Sequence, residues 1–299
     1  MTPRSQDGDA VRVSAVRTPD GVLRAAVRGR GPALLCVHGL TAHAAVWERV
    51  APLLEDRFTL VLPDLLGRGR SDAAPGASYR LEAEVERLAA VARELAPGPL
   101  LVLGHSHGAA LSVALAAREE RCRALCLLGP VTPWTPRPAL LGLLRRPGVR
   151  RRLAHLVPPL RRPVTRLVLR RRVFADPAAV DEAAVRRYAD PWGRPGRPET
   201  LLRILSDWRP GDLGPHLPSG RRPALVLTGE HDRRAPPPLA WRLAAALGCD
   251  LRVVPGAAHA LPEEAPRTVA RAVEELAREA AAGTDESPGH EPTRDEGDA

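Results

Sequence analysis

Apolar runs and amphipathic stretches alternate along most of the chain. Residues 11–16 and 22–27 alternate apolar with polar positions around Thr18-Pro19-Asp20-Gly21, which predicts an antiparallel hairpin at the edge of a sheet. Residues 33–37 are instead a continuous apolar run, the pattern of a strand covered on both faces, and 58–62, 100–103, 123–128, 224–227 and 251–254 are further largely apolar stretches that read as strands. Helical periodicity fills the intervals, over 44–54, 79–95, from about Ala109 onward, 239–247 and 264–282. The second of these carries Leu81, Val85, Leu88, Val91 and Leu95 on one face and charges on the other. Strands alternating with helices predict an α/β fold with a mostly parallel sheet. From Val131 to about Pro215 the alternation stops, prolines and arginines become dense, and short apolar helical stretches lie between them.

Composition adds limits to this outline. Hydrophobic residues make up 44% and charged residues 26%, ordinary for a globular chain, whereas aromatics at 3% leave Ala, Leu and Val to fill the core. The formal charge of +9 is carried by arginine alone, because the chain has no lysine. No aromatic interleaving or nucleic-acid module accompanies those arginines, so no nucleic-acid partner is expected. The clusters at Arg145, Arg146, Arg150 to Arg152, Arg161, Arg162 and Arg170 to Arg172 leave two readings open, a solvated surface or a mouth that attracts anionic substrates or an acidic membrane. No apolar run reaches the roughly 18 residues of a membrane span, so stable membrane insertion is not expected, and the first ten residues lack the pattern of a signal peptide. Cys36, Cys122, Cys126 and Cys249 lie in or beside apolar runs without paired spacing, which predicts buried free thiols and a cytoplasmic location. The ends, 1–10 and the acidic 283–299, are expected to be disordered.

One stretch carries candidate chemistry. Leu100-Leu101-Val102-Leu103 runs into Gly104-His105-Ser106-His107-Gly108 and then a small-residue helix, the context of a nucleophile elbow that lifts a serine hydroxyl into a pocket. Gly104 and Gly108 stand where a Cβ would collide with a neighbouring element, and the helix start aims backbone N–H groups at the serine. Upstream, the run 33–37 ends in His38-Gly39-Leu40. The backbone N–H groups of Leu40 and His107 are candidate halves of an oxyanion hole, with His38 and Gly39 supporting that loop. His38, His105 and His107 invite a metal reading by their spacing, but no carboxylate and cysteine pattern accompanies them, so no metal or cofactor is expected.

Taken together, His38-Gly39, Asp64-x-x-Gly67-x-Gly69-x-Ser71-Asp72, the elbow, Gly229-Glu230-His231-Asp232 and Gly256-Ala257-Ala258-His259 resemble the α/β-hydrolase-fold superfamily, in its order and over roughly residues 10–280. The resemblance implies a mostly parallel twisted sheet flanked by helices, with a helical cap inserted after the sixth strand. The core would be 1–130 and 216–282, the cap 131–215. It also implies a catalytic triad of Ser106 as nucleophile, His259 as base and Asp232 as orienting acid, with Glu230 a rival to Asp232. Asp64 and Asp72 are expected to fix the loop after the fourth strand. The expected activity is that of a capped serine hydrolase acting on a small-molecule carboxylic ester or similar acyl compound with water. Carbon–carbon bond hydrolysis, lactone, thioester or peracid chemistry on the same triad, or a ligand-binding sensor, remain as alternatives, and the oligomeric state stays open.

Overall fold

The computed structural model describes residues 11–217 and 222–285, so the expectations for 1–10 and 286–299 lie outside the described residues. Each of the largely apolar stretches forms a strand; the central ones bury both faces at once, whereas 251–254, at the far edge, leaves Arg252 and Val253 exposed. The described strands are β1 (Arg12–Thr18), β2 (Gly21–Gly29), β3 (Ala33–Val37), β4 (Thr59–Asp64), β5 (Leu100–His105), β6 (Cys122–Leu128), β7 (Ala224–Gly229) and β8 (Asp250–Val254). They form one sheet in the order β1-β2-β4-β3-β5-β6-β7-β8. The hairpin β1–β2 lies at the edge, β2 pairs antiparallel with β4, and the remaining neighbours are parallel.

Within each parallel strand, alternate residues enter different cores. Leu35, Val37, Val102, Leu125, Leu127 and Val226 face one side, where helices α2 (Leu81–Leu95), α3 (His107–Ala116) and α8 (Pro237–Leu247) cover them. Leu34, Cys36, Leu103, Cys126, Leu225 and Leu227 face the other, under α1 (Ala51–Leu54) and α10 (Pro266–Asp285). All ten residues of α3 are buried, which explains its alanines: it packs against both the sheet and α2 and has no solvent face.

Two predicted helices divide at prolines. Residues 44–54 form a 3-10 turn (Ala44–Trp47) and the short α1, because Pro52 has no N–H to continue a helix and its ring would clash one turn back. The closing helix is preceded by a separate turn, α9 (Leu261–Glu264), with Pro266 opening α10. That helix runs to Asp285, so residues 283–285, expected in a disordered tail, are helical. The elbow helix begins at His107, immediately after the serine and two residues earlier than its pattern suggested.

Between β6 and β7 the chain builds α4 (Pro147–Ala154), α5 (Val157–Val168), α6 (Glu182–Ala189) and α7 (Arg197–Asp207), linked by 3-10 turns and, at Leu169–Val173, a π turn. The last 3-10 turn (Pro210–His216) includes His216, one residue beyond the expected boundary. These helices rest on the ends of the strands from which the loops after β3, β5, β7 and β8 emerge. In an open parallel sheet those carboxyl ends are where a binding crevice forms.

Candidate active site

Three side chains distant in sequence form one hydrogen-bonded line. Ser106 Oγ lies 3.0 Å from His259 Nε2, and His259 Nδ1 lies 2.8 Å from Asp232 Oδ2. Ser106 follows β5 with φ 56° and ψ −116°, making it the one described non-glycine residue at positive φ. This strain is held by what surrounds it: Ser106 N–H donates to the Leu128 carbonyl at 2.8 Å, and the Ser106 carbonyl accepts from Ala109 and Val131 N–H. A Cβ on Gly108 would run into the carbonyls of Val37 and His38, and one on Gly104 into Ser112 and the Ala109 backbone, so the tight turn requires both glycines.

Asp232 is buried behind the histidine. Its other oxygen, Oδ1, accepts from the N–H groups of Arg234 and Ala235, each at 2.8 Å. Burial alone would raise its pKa, but the adjacent His259 and these N–H donors outweigh burial and hold it below the usual value. Glu230 is exposed and accepts from Gly256 N–H at 3.0 Å, so it is committed away from His259. Gly129, at φ 47°, passes so close that a Cβ there would sit 2.9 Å from Asp232 Oδ2 and 3.2 Å from His259 Nδ1. The sequence offered no reason to single out Gly129 beyond the absence of an acid at that strand end.

The loop after β3 packs on the elbow, with a Cβ on Gly39 reaching 3.4 Å from Ser106 Cβ. Neither Leu40 N–H nor His107 N–H has an acceptor among the described residues. His38 is fully buried: Leu65 N–H donates to its Nε2 at 3.0 Å, which places the ring proton on Nδ1, 2.8 Å from the Gly39 carbonyl. Burial, then the Arg68 charge, lowers its pKa well below the ordinary histidine value, so the ring is a neutral brace.

The profile of the alpha/beta hydrolase fold family matches residues 32–266. The chain belongs to that family. It is 43% identical over 102 residues to lipase LipV of Mycobacterium tuberculosis, a match covering 33% of this chain and 38% of that lipase. It is 28% identical over 276 residues to 2-(acetamidomethylene)succinate hydrolase of Mesorhizobium japonicum, covering 82% of this chain and 88% of that enzyme. An alpha/beta hydrolase fold protein from Burkholderia ambifaria superposes with a TM-score of 0.78 at 23% identity, over 89% of this chain and all of that one. The family and its hydrolase relatives make this chain an enzyme of the hydrolase class.

Around Ser106 and His259, two further histidines have separate tasks. His105 lies 2.8 Å from the His259 carbonyl through Nε2, and its Nδ1 is buried without a partner among the described residues. Burial, then the neighbouring His259, lowers its pKa to about 3, so it stays neutral and holds the backbone at His259. His107 is fully buried, with Nε2 2.6 Å from Glu84 Oε2 and its ring edge against Trp208. Glu84 also pairs with Arg68, whose Nε donates to the Leu40 carbonyl at 3.1 Å. This Arg68–Glu84–His107 chain therefore ties the two candidate oxyanion segments together. Burial acts to raise the Glu84 pKa, yet the Arg68 and His107 contacts prevail and hold it far below the carboxylate range.

Sequence pattern gave no assignment to Glu84 or Arg68. A signal existed, however: Glu84 falls among Leu81, Val85 and Leu88 on the apolar side of α2 and not on its charged face. His38, His105 and His107 send their nitrogens to different partners, and no group of three metal-ligating side chains converges among the described residues.

Above Ser106 and His259 opens a cavity of about 310 Å³, lined by Leu40, Val164, Val168, Leu169, Trp192 and Leu205 among others. Arg234 also lines it, and its guanidinium has no hydrogen-bond or ion-pair partner among the described residues. Burial lowers the Arg234 pKa, Asp232 opposes that shift, and Arg172 adds to it.

Proposed function

We propose that this hydrolase cleaves a carboxylic ester or similar acyl compound through an acyl-enzyme on Ser106. The observation that carries the reading is the unbroken line Ser106–His259–Asp232 at the floor of an apolar cavity. His259 Nε2 takes the Ser106 hydroxyl proton as Oγ attacks the substrate carbonyl carbon, and Asp232 stabilises the resulting imidazolium. The tetrahedral oxyanion lies between the Leu40 and His107 N–H groups, both without acceptors among the described residues. Collapse breaks the bond to the alcohol, which leaves with the proton from His259. Water then gives its proton to His259 and its hydroxide to the acyl carbon, and the second collapse breaks the acyl–Oγ bond as His259 returns that proton to Ser106 and the acid is released. Every proton is accounted for by these residues, and the steps call on no cofactor.

In this reading the segment 131–215 is the cap and 1–130 with 216–282 the core. Val164, Val168 and Leu169 from the cap receive the apolar part of the substrate and exclude water. Arg234 favours substrates that carry a negative charge near the reacting carbonyl. The three buried thiols, Cys36, Cys122 and Cys126, agree with the reducing environment of a cytoplasm.

A chain-length series of p-nitrophenyl esters, with a fluorophosphonate probe alongside, tests the reading. Wild type labels and turns over, and Ser106→Ala loses labelling and about 10⁴-fold or more of kcat. Absence of both in wild type would overturn the serine mechanism. Labelling without ester turnover would move the assignment to carbon–carbon bond hydrolysis on the same residues.

A further inference from the structure

Helix α5 is mounted in an unusual sense. Leu160, Val164 and Leu167, with Leu156 at its N-cap, recur at spacings of four, four and three residues and so share one face. That face points to solvent, where Leu156, Leu160, Val164 and Leu167 are 47% to 58% exposed. Thr165 and Val168 line the cavity on the inner side, while on the flank of the helix Arg162 pairs with Asp190 and Arg166 with Glu182 on α6 at the surface. No residue of α5 is buried. An amphipathic helix on a globular protein packs its apolar stripe against the core, and this one presents it outward. Leu140, Leu143 and Leu153 nearby in the chain are also exposed. Seven of the large apolar side chains exposed among the described residues thus fall between residues 140 and 167 of the chain, four of them on the single stripe of α5.

The charges beside this stripe decide what covers it. Arg145, Arg146, Arg151, Arg152, Arg170, Arg171 and Arg172 are all exposed, and none has a side-chain hydrogen bond or ion pair among the described residues. A second copy of the chain docking through this face would bring two such arginine groups together. An anionic surface neutralises them while the leucines and Val164 enter its apolar layer. The helices themselves cannot cross a bilayer, since no described helix is long and apolar enough. We propose that the α4–α5 face of this protein docks on an anionic phospholipid surface, with the apolar stripe of α5 immersed at the boundary between headgroups and acyl chains and the flanking arginines on the phosphates. Val164 belongs both to this stripe and to the lining of the cavity above Ser106, so docking sets the cavity against the lipid layer.

The test is flotation of the full chain with phosphatidylcholine vesicles, with and without phosphatidylglycerol. Binding to the phosphatidylglycerol vesicles that weakens as salt rises is expected, with little to phosphatidylcholine alone. Leu156→Asp with Leu160→Asp and Leu167→Asp, and separately Arg151→Gln with Arg152→Gln and Arg171→Gln, each lower the bound fraction by at least about tenfold. All six positions are exposed, so a cooperative melt like that of wild type accompanies the loss. A protein that floats with neither vesicle, or with both equally at every salt concentration, overturns the proposal. Concentration-dependent self-association that Leu160→Asp abolishes, without vesicle binding, assigns the face to a second copy and also overturns it. Ser106→Ala floats as wild type does, so this outcome is separate from the catalytic reading.

Discussion

Asp232 and Glu230 stand two residues apart, and only one of them touches His259. Asp232 meets His259 Nδ1 while Glu230 holds Gly256, so the two acids respond differently to neutralisation. Asp232→Asn leaves the shape but presents the wrong partner to the ring, and kcat for an active p-nitrophenyl ester falls by about 10³- to 10⁴-fold. Glu230→Gln stays within about twofold, because an exposed acid contributes little. An equal loss in both variants would refute the assignment of Asp232. Gly129→Ala is the companion test: its methyl would press on Asp232 Oδ2 and His259 Nδ1 in a left-handed backbone conformation, so activity drops with the same ester. At Arg234, replacement by Met lowers the ratio of kcat/KM for an acyl chain ending in carboxylate over its methyl ester by about tenfold, as one charge-assisted contact is lost.

The elements matter for what they bring near the site. Helix α2 read as an amphipathic helix with charges outward, and its apolar face does pack on the sheet as that pattern requires. Two of its charged residues, Glu84 and Arg87, are nevertheless buried. Arg87 reaches Asp20 in the β1–β2 turn, and Glu84 reaches Arg68 and His107. Pattern counts charges on a helix face, but whether a face meets solvent depends on neighbours far away in sequence. Glu84→Ala strands the Arg68 guanidinium in the interior, and urea unfolding should lose about 3 to 5 kcal/mol. Glu84→Gln keeps a hydrogen-bond acceptor and costs less. A loss below about 1 kcal/mol for the alanine variant would mean that water reaches Arg68. The division of 44–54 at Pro52 was equally open to reading, since proline inside a helical period is a local rule.

At the scale of the molecule, buried neutral histidines set the acid limit. His38, His105 and His107 all have pKa values lowered by burial from 6.5, His105 to about 3. Below pH 6.5 the unfolded chain takes up protons that these folded rings refuse, so stability is complete above 6.5 and falls as pH drops toward 3. His105→Gln should flatten the dependence of the urea midpoint on pH over that window, by at most about 1.4 kcal/mol per pH unit. An unchanged slope would show that His105 titrates normally in the folded state. The sequence by itself determined the strands, most helices, the elbow and the family, because all rest on local periodicity, glycine and proline rules, and short motifs read in order. Only the tertiary structure decided the rest. It joined Ser106, Asp232 and His259 across 153 and 27 residues, buried Glu84 against Arg68 and His107, left the Arg234 guanidinium without a partner among the described residues, and turned the apolar face of α5 to solvent. Each is a relation between segments whose separation along the chain carries no information about distance, and which packing alone sets.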